Sequence, residues 1–175
     1  MGRVPSVKRI SAMVVVVFFL CSAVASAGTR VNVPAAFKAS LGKIKEKHKL
    51  PVLLPGSLTL VDTMKVYASL ESSSARGYKL DLSAAPDCHE ATACFLVGFT
   101  AERGGALYGK SNVTLARGDK ARFDPSSCGA SCAPATLDFI HGGILYSIQD
   151  SNLAASTAKS TLVKLANDSI AAGPR

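Results

Sequence analysis

The sequence predicts an α+β fold: a single, mostly antiparallel β-sheet of about six to eight strands, with an N-terminal and a C-terminal helix packed on one face. Three observations carry that expectation. Near both ends of the chain apolar residues recur at steps of three and four, the spacing of one helix face. Between those ends apolar and polar residues alternate, and glycine-bearing turns divide the alternation into hairpins. Within the alternating stretch lie two close cysteine pairs, Cys88 with Cys94 and Cys128 with Cys132, so two short stapled loops flank β-like sequence.

Residues 1–27 stand apart from the fold. Arg3, Lys8 and Arg9 precede an uncharged, apolar run from Ala12 to Val24, and Ala25-Ser26-Ala27 places small residues before Gly28. This is the layout of a secretory signal peptide cleaved between Ala27 and Gly28. The run falls short of the ~20 residues a membrane-spanning helix needs. Cys21 follows the bulky Phe18-Phe19-Leu20, where a lipoprotein signal needs a small residue. What remains, residues 28–175, suits one exported domain, periplasmic or secreted, with no later stretch apolar enough to span a bilayer.

Removing the signal changes the meaning of charge and cysteine count. The formal charge of +8 falls to +5, since residues 1–27 hold three bases and no acid. That balance suits solubility and weak attraction to anionic surfaces. The bases are not interleaved with aromatics along one stripe, so nucleic acid is not an expected partner. Five cysteines become four, an even number in a chain bound for an oxidising compartment. Proximity favours Cys88–Cys94 and Cys128–Cys132. A crossed bond such as Cys88–Cys132 would close a longer loop, worth about 4 kcal/mol against about 2, so loop entropy alone leaves the connectivity open.

In chain order, Phe37, Leu41, Ile44 and His48 trace one helical face, with Pro34 near its start and Pro51 beyond its end. The apolar segment Leu50 to Pro55, bracketed by prolines, suits an extended edge of the sheet. Val66, Ala68 and Leu70, then Tyr78, Leu80 and Leu82, form a hairpin about a small-residue turn. Phe95, Val97 and Phe99 continue the same alternation to Arg103-Gly104-Gly105. A second hairpin joins Val113–Leu115 to Lys120–Phe123, and a third joins Leu137–Phe139 to Ile144–Ile148 across His141-Gly142-Gly143. From Ser156 or Thr157 as cap, Leu162, Leu165, Ala166, Ser169 and Ile170 form a helical stripe that Gly173-Pro174 ends.

Chemistry is sparse. Cys88, His89, Cys94, Cys128, Cys132 and His141 could ligate a metal, but the pair spacings miss those of zinc sites, and no metal or cofactor is expected. Cys128-Gly129-Ala130-Ser131-Cys132 carries one residue too many for a redox Cys-x-x-Cys motif. No serine elbow, no zinc-protease helix and no phosphate loop occurs, so no catalytic residue is assigned. His89-Glu90 is the first pair to test should activity appear. Arg117-Gly118-Asp119 matches an integrin tripeptide yet makes a natural turn, and Asn112 and Asn167 head glycosylation sequons.

Several stretches together resemble a family of bacterial exported proteins to which no activity is attached. They are Lys49 to Pro55, the two cysteine loops, the Phe-x-x-Gly-Gly-x-x-Tyr of Phe139 to Tyr146, and Leu165-Ala166-Asn167 with Ser169. The resemblance implies an exported α+β domain and transfers no site residue. His89, Glu90 and Thr92 depart from the Asn-Gly-Ala-Asn type of filling in the family's first loop. The expectation is a monomeric, non-enzymatic binding or structural domain of the cell envelope, its partner a lipid, a glycan or a protein. The sheet face turned from the helices is the candidate surface. A periplasmic carrier of a lipid or other small ligand is the alternative, followed by an envelope enzyme of unrecognised type.

Overall fold

The computed structural model describes residues 28–62, 64–88, 91–129 and 131–175, the side chain of Lys47 excepted. The signal-peptide segment and the bond after Ala27 lie outside these residues, as does the His89-Glu90 pair. In chain order the elements are β1 (Arg30–Asn32), α1 (Val33–Ala36), α2 (Lys38–His48), β2 (Ser57–Thr59), β3 (Tyr67–Ser73), β4 (Gly77–Ser83) and β5 (Phe95–Arg103). There follow β6 (Val113–Thr114), β7 (Lys120–Asp124), β8 (Ser127–Cys128), β9 (Cys132–Ala133), β10 (Ala135–His141), β11 (Ile144–Asp150) and α3 (Ala155–Ala172).

Seven strands make an antiparallel sheet in the order β3-β4-β5-β11-β10-β7-β6. The α+β expectation holds, with the three hairpins in their expected places. Period two puts one set of side chains on each face. Leu80, Phe99, Ile148 and Leu137 are cross-strand neighbours in one buried row, and Tyr78, Ala101, Tyr146 and Phe139 form the next. Onto these rows α3 packs Ala158, Leu162, Leu165, Ala166 and Ile170, all buried. Each fully buried leucine or phenylalanine contributes about 1.5–3 kcal/mol, so these rows are the main attractive term of the fold. Phe37, between α1 and α2, is fully buried and meets Phe99 edge-on at 6.2 Å.

Four details correct the sequence reading. The expected single sheet has two small companions, β1 with β2 and β8 with β9. Leu50 to Pro55 forms no sheet edge but runs buried through the core, with Val52 and Leu54 wholly enclosed. Its prolines keep it out of any ladder, and its carbonyls are satisfied singly, Pro51 by the Tyr146 hydroxyl at 3.1 Å and Val52 by the Arg175 amide at 3.0 Å. Neither Ser156 nor Thr157 caps α3. Ala154 occupies the cap, and the Thr157 hydroxyl turns back to the Ala154 carbonyl at 3.2 Å.

Phe95, fourth, lies on the face opposite to the expected one. The β4–β5 ladder slips between Leu82 and Ser83, so that Leu82 faces Val97 while Ser83 faces Phe95. The extra residue reverses the parity, and Phe95 lands on the face opposite Val97 and Phe99. The carbonyls of the bulge are held from β11's end: the Ser151 hydroxyl lies 2.6 Å from the Phe95 oxygen, and the Ser151 amide donates to Leu96 at 2.9 Å. Asn152 adds its side-chain amide to the Leu96 oxygen at 3.3 Å.

Candidate functional site

Both cysteine pairs are bonded locally, Cys88 to Cys94 and Cys128 to Cys132, with Cα atoms 5.7 and 4.0 Å apart. Such bonds fit an oxidising, extracytoplasmic environment. Among the described residues no helix is long and apolar enough to cross a membrane. The second bond lies across the β8–β9 hairpin, where Cys128 and Cys132 are paired residues. Although well apart in sequence, the two loops border one cleft. Thr92 of the first loop and the Cys128–Cys132 bond of the second line this cleft of about 300 Å³, together with Phe95, Pro134 and Ser151.

The floor of this cleft belongs to the open face of the sheet. There the ring of Phe95 lies over Gly98, so close that a β-carbon at position 98 would stand 3.1 Å from the ring and 3.0 Å from an Asp81 oxygen. From this aromatic shelf two polar rows cross the sheet in register. One runs Asp81, Gly98, Gln149, Thr136, Asp124; the other runs Lys79, Thr100, Ser147, Asp138, Arg122. Each spans five strands, about 19 Å at normal strand spacing.

Charges on the face are mutually held. Arg122 donates to both carboxylate oxygens of Asp124, at 2.8 and 2.7 Å, a two-pronged pair that fixes the fork. Lys79 stands 3.8 Å from Asp81. Burial lifts the Asp138 carboxyl above the usual range, against a hydrogen bond from Ser147. Beside Arg122 a loop passes so near that a β-carbon on Gly109 would meet the guanidinium at 2.7 Å. Its neighbour Tyr108 is 87% exposed, the most exposed large apolar side chain among the described residues. The open face thus has a partly buried aromatic shelf at its cysteine end and a free tyrosine beside its arginine.

The remaining sequence candidates take structural places. His141 Nδ1 lies 2.8 Å from Asp119 Oδ2 and ties the β10–β11 turn to the β6–β7 turn. That engages the aspartate of Arg117-Gly118-Asp119, whose turn is closed by Leu115 and Asp119 backbone bonds. Among the described residues no three of His, Cys, Asp and Glu converge as a metal site would require. Asn112 pairs its side chain with both backbone groups of Phe123, and Asn167 accepts the Ala116 amide at 2.9 Å, so both sequon asparagines are engaged in holding loops. Phe139 stacks on Tyr146 at 5.4 Å, giving the Phe-x-x-Gly-Gly-x-x-Tyr stretch a packing role.

One group escaped the sequence reading altogether. Asp150 ends β11 on the helix-covered face and is buried at the floor of a second cleft, about 440 Å³, between the β1–β2 ribbon and α3. Burial pushes its carboxyl up to about 6, against hydrogen bonds from Asn152. Its signal was the alternation itself, since Ile144, Tyr146 and Ile148 extended by one step reach Asp150. Phe95 had no such signal, and Tyr108 sits in a loop without periodicity. Comparison with protein-family models, with curated proteins and with solved structures finds no match to this chain.

Proposed function

We propose that this protein is an exported, non-enzymatic, monomeric binding domain of the bacterial cell envelope, and that its open sheet face takes an extended, uncharged glycan. The observation that carries the reading is the Phe95 shelf, turned outward by a bulge and framed by both disulfide loops. A sugar ring presents an apolar C–H face and a rim of hydroxyls. An aromatic ring suits the first, and adjoining rows of amide, hydroxyl and carboxylate groups suit the second. In this reading α2 shares the covered face with α3, which leaves the opposite face open across the strands. The signal segment and the likeness to bacterial exported proteins support the envelope as its place of work.

The composition of the face favours a glycan over the other partners. Protein interface cores are depleted of charge, whereas this face carries acids and bases on β4, β7 and β10, to either side of the uncharged Gly98, Thr100, Ser147 and Gln149 at its centre. A lipid requires a continuous apolar surface, and here the apolar side chains fill the opposite, covered face. A lipid carrier finds no support in the covered face either, since its apolar side chains are packed into the core. Disulfide loops at the rim add preorganisation, which lowers the entropy lost on binding.

The test is calorimetric titration of the disulfide-bonded residues 28–175 with cellotetraose and with the tetramer of N-acetylglucosamine. At least one binds saturably, and Phe95→Ala weakens it by about tenfold, the equivalent of 1.4 kcal/mol. Absence of binding by both, or a Phe95→Ala protein that binds as the wild type does, overturns the reading.

A further inference from the structure

The second cleft lies behind the sheet, and the reading of the open face makes no use of it. Its floor is Asp150, 4% exposed, at the end of β11. One carboxylate oxygen accepts the Asn152 amide at 2.8 Å. Among the described residues no cation forms an ion pair with it. A carboxylate so placed loses hydration without gaining a counter-charge, and burial raises its pKa to about 6. An asparagine would keep the bond from the Asn152 backbone amide, more weakly, and would spare the fold a buried charge. The hydrogen bonds from Asn152 leave the charge itself without a neutralising partner.

The surroundings supply a chemical reason for that charge. The cleft is about 440 Å³, within the usual size of small-molecule sites. Leu58, Leu153 and Leu165 give it apolar walls, and Thr161 adds a hydroxyl. The charged groups that line it with Asp150 are Arg30 of β1 and Lys164 of α3, while β2 contributes only Ser57, Leu58 and Thr59. Arg30 is steadied by the Ser57 hydroxyl at 3.3 and 3.2 Å, and Lys164 by Asp168 at 2.5 Å. An uncompensated anion at the floor, apolar walls and exposed cations make a polarised site.

We propose that this cleft binds an α-amino acid with an apolar side chain, its ammonium on the Asp150 carboxylate and its carboxylate toward Arg30 and Lys164. The ammonium supplies the counter-charge that the chain withholds, and its hydrogens reach the Asp150 carboxylate and the Thr161 hydroxyl. The leucine walls take the side chain. Arg30 and Lys164 screen the outer carboxylate, and a ligand lacking either charge leaves one end of the cleft unanswered.

Three probes test this on the disulfide-bonded chain by two-dimensional amide NMR: leucine, leucinamide, which keeps only the ammonium, and N-acetylleucine, which keeps only the carboxylate. Leucine should shift Leu58, Thr161 and Leu165 saturably. N-acetylleucine should bind at least about tenfold more weakly, the loss expected when a charge-assisted hydrogen bond is removed. Asp150→Asn, a variant of the same shape, should weaken leucine by a similar factor while its spectrum elsewhere stays that of the wild type. The proposal is overturned if leucine leaves these residues unmoved, or if Asp150→Asn binds it as tightly as the wild type. It is equally overturned if either half-charged probe matches leucine. Since Phe95→Ala does not touch this cleft, failure here and failure of the glycan reading are separable.

Discussion

Single residues carry the strongest claims about this molecule. Asp150 has a folded-state pKa of about 6 against an ordinary 3.8. Below the lower value it is protonated in both states and costs nothing. As pH rises through the lower value, the unfolded chain ionises while the folded chain keeps its proton, so stability falls until the folded group ionises too. The loss amounts to roughly 2–3 kcal/mol between about pH 4 and pH 7. Asp150→Asn should flatten that window and be more stable than the wild type at pH 7. Urea unfolding followed by circular dichroism checks it, since the chain has no tryptophan to report. A variant less stable than the wild type at pH 7 contradicts the assignment.

Gly98 gives a second prediction at this scale. A methyl group there meets the Phe95 ring at 3.1 Å and Asp81 at 3.0 Å, so the ring has to tilt. Gly98→Ala should weaken glycan binding about as far as Phe95→Ala does, with a stability change under about 1.5 kcal/mol. Wild-type affinity in Gly98→Ala would mean the shelf is not where sugar stacks. Neither residue announces its role in the sequence. Glycine in a strand has several causes, and a bulge leaves no composition behind it. Period-two counting from Val97 and Phe99 therefore sends Phe95 to the wrong face.

Elements were easier to read than residues, because periodicity is an element's property. The stripe Leu162, Leu165, Ala166, Ser169, Ile170 is the buried face of α3 as expected. Leu162→Ala, at a fully enclosed position, should cost about 2–5 kcal/mol, and Val163→Ala, only partly buried beside it, less than half as much. Equal losses by thermal or urea unfolding would place the stripe elsewhere. The proline-bracketed run from Leu50 to Pro55 was legible as extended chain and misread as an edge. Prolines report that a segment leaves the ladder, and they do not report which way its side chains face. The β8–β9 hairpin is held by one bond over a short loop. Replacing Cys128 and Cys132 with serine should lower stability by about 2 kcal/mol and weaken glycan binding, leaving the Asp150 cleft unaffected. Unchanged glycan affinity in that variant would remove the loops from the site.

At the scale of the whole molecule, one antiparallel sheet separates two surfaces of opposite character. The covered side buries the core and carries the polarised cleft. The open side carries two polar rows between an aromatic shelf and an exposed tyrosine. The fold class, the hairpins and the local disulfides were legible because each rests on neighbours in sequence. The cleft that Thr92 shares with Cys128 and Cys132 was not, since it joins stretches far apart in sequence. Amide shifts mapped on titration with the better-binding tetrasaccharide decide whether the open face is the binding surface. The expected result is a contiguous footprint over Phe95, Gly98, Thr136, Gln149 and Ser151, reaching toward Arg122 and Tyr108. A footprint on α3 and the β1–β2 ribbon, with those residues unmoved, would contradict it.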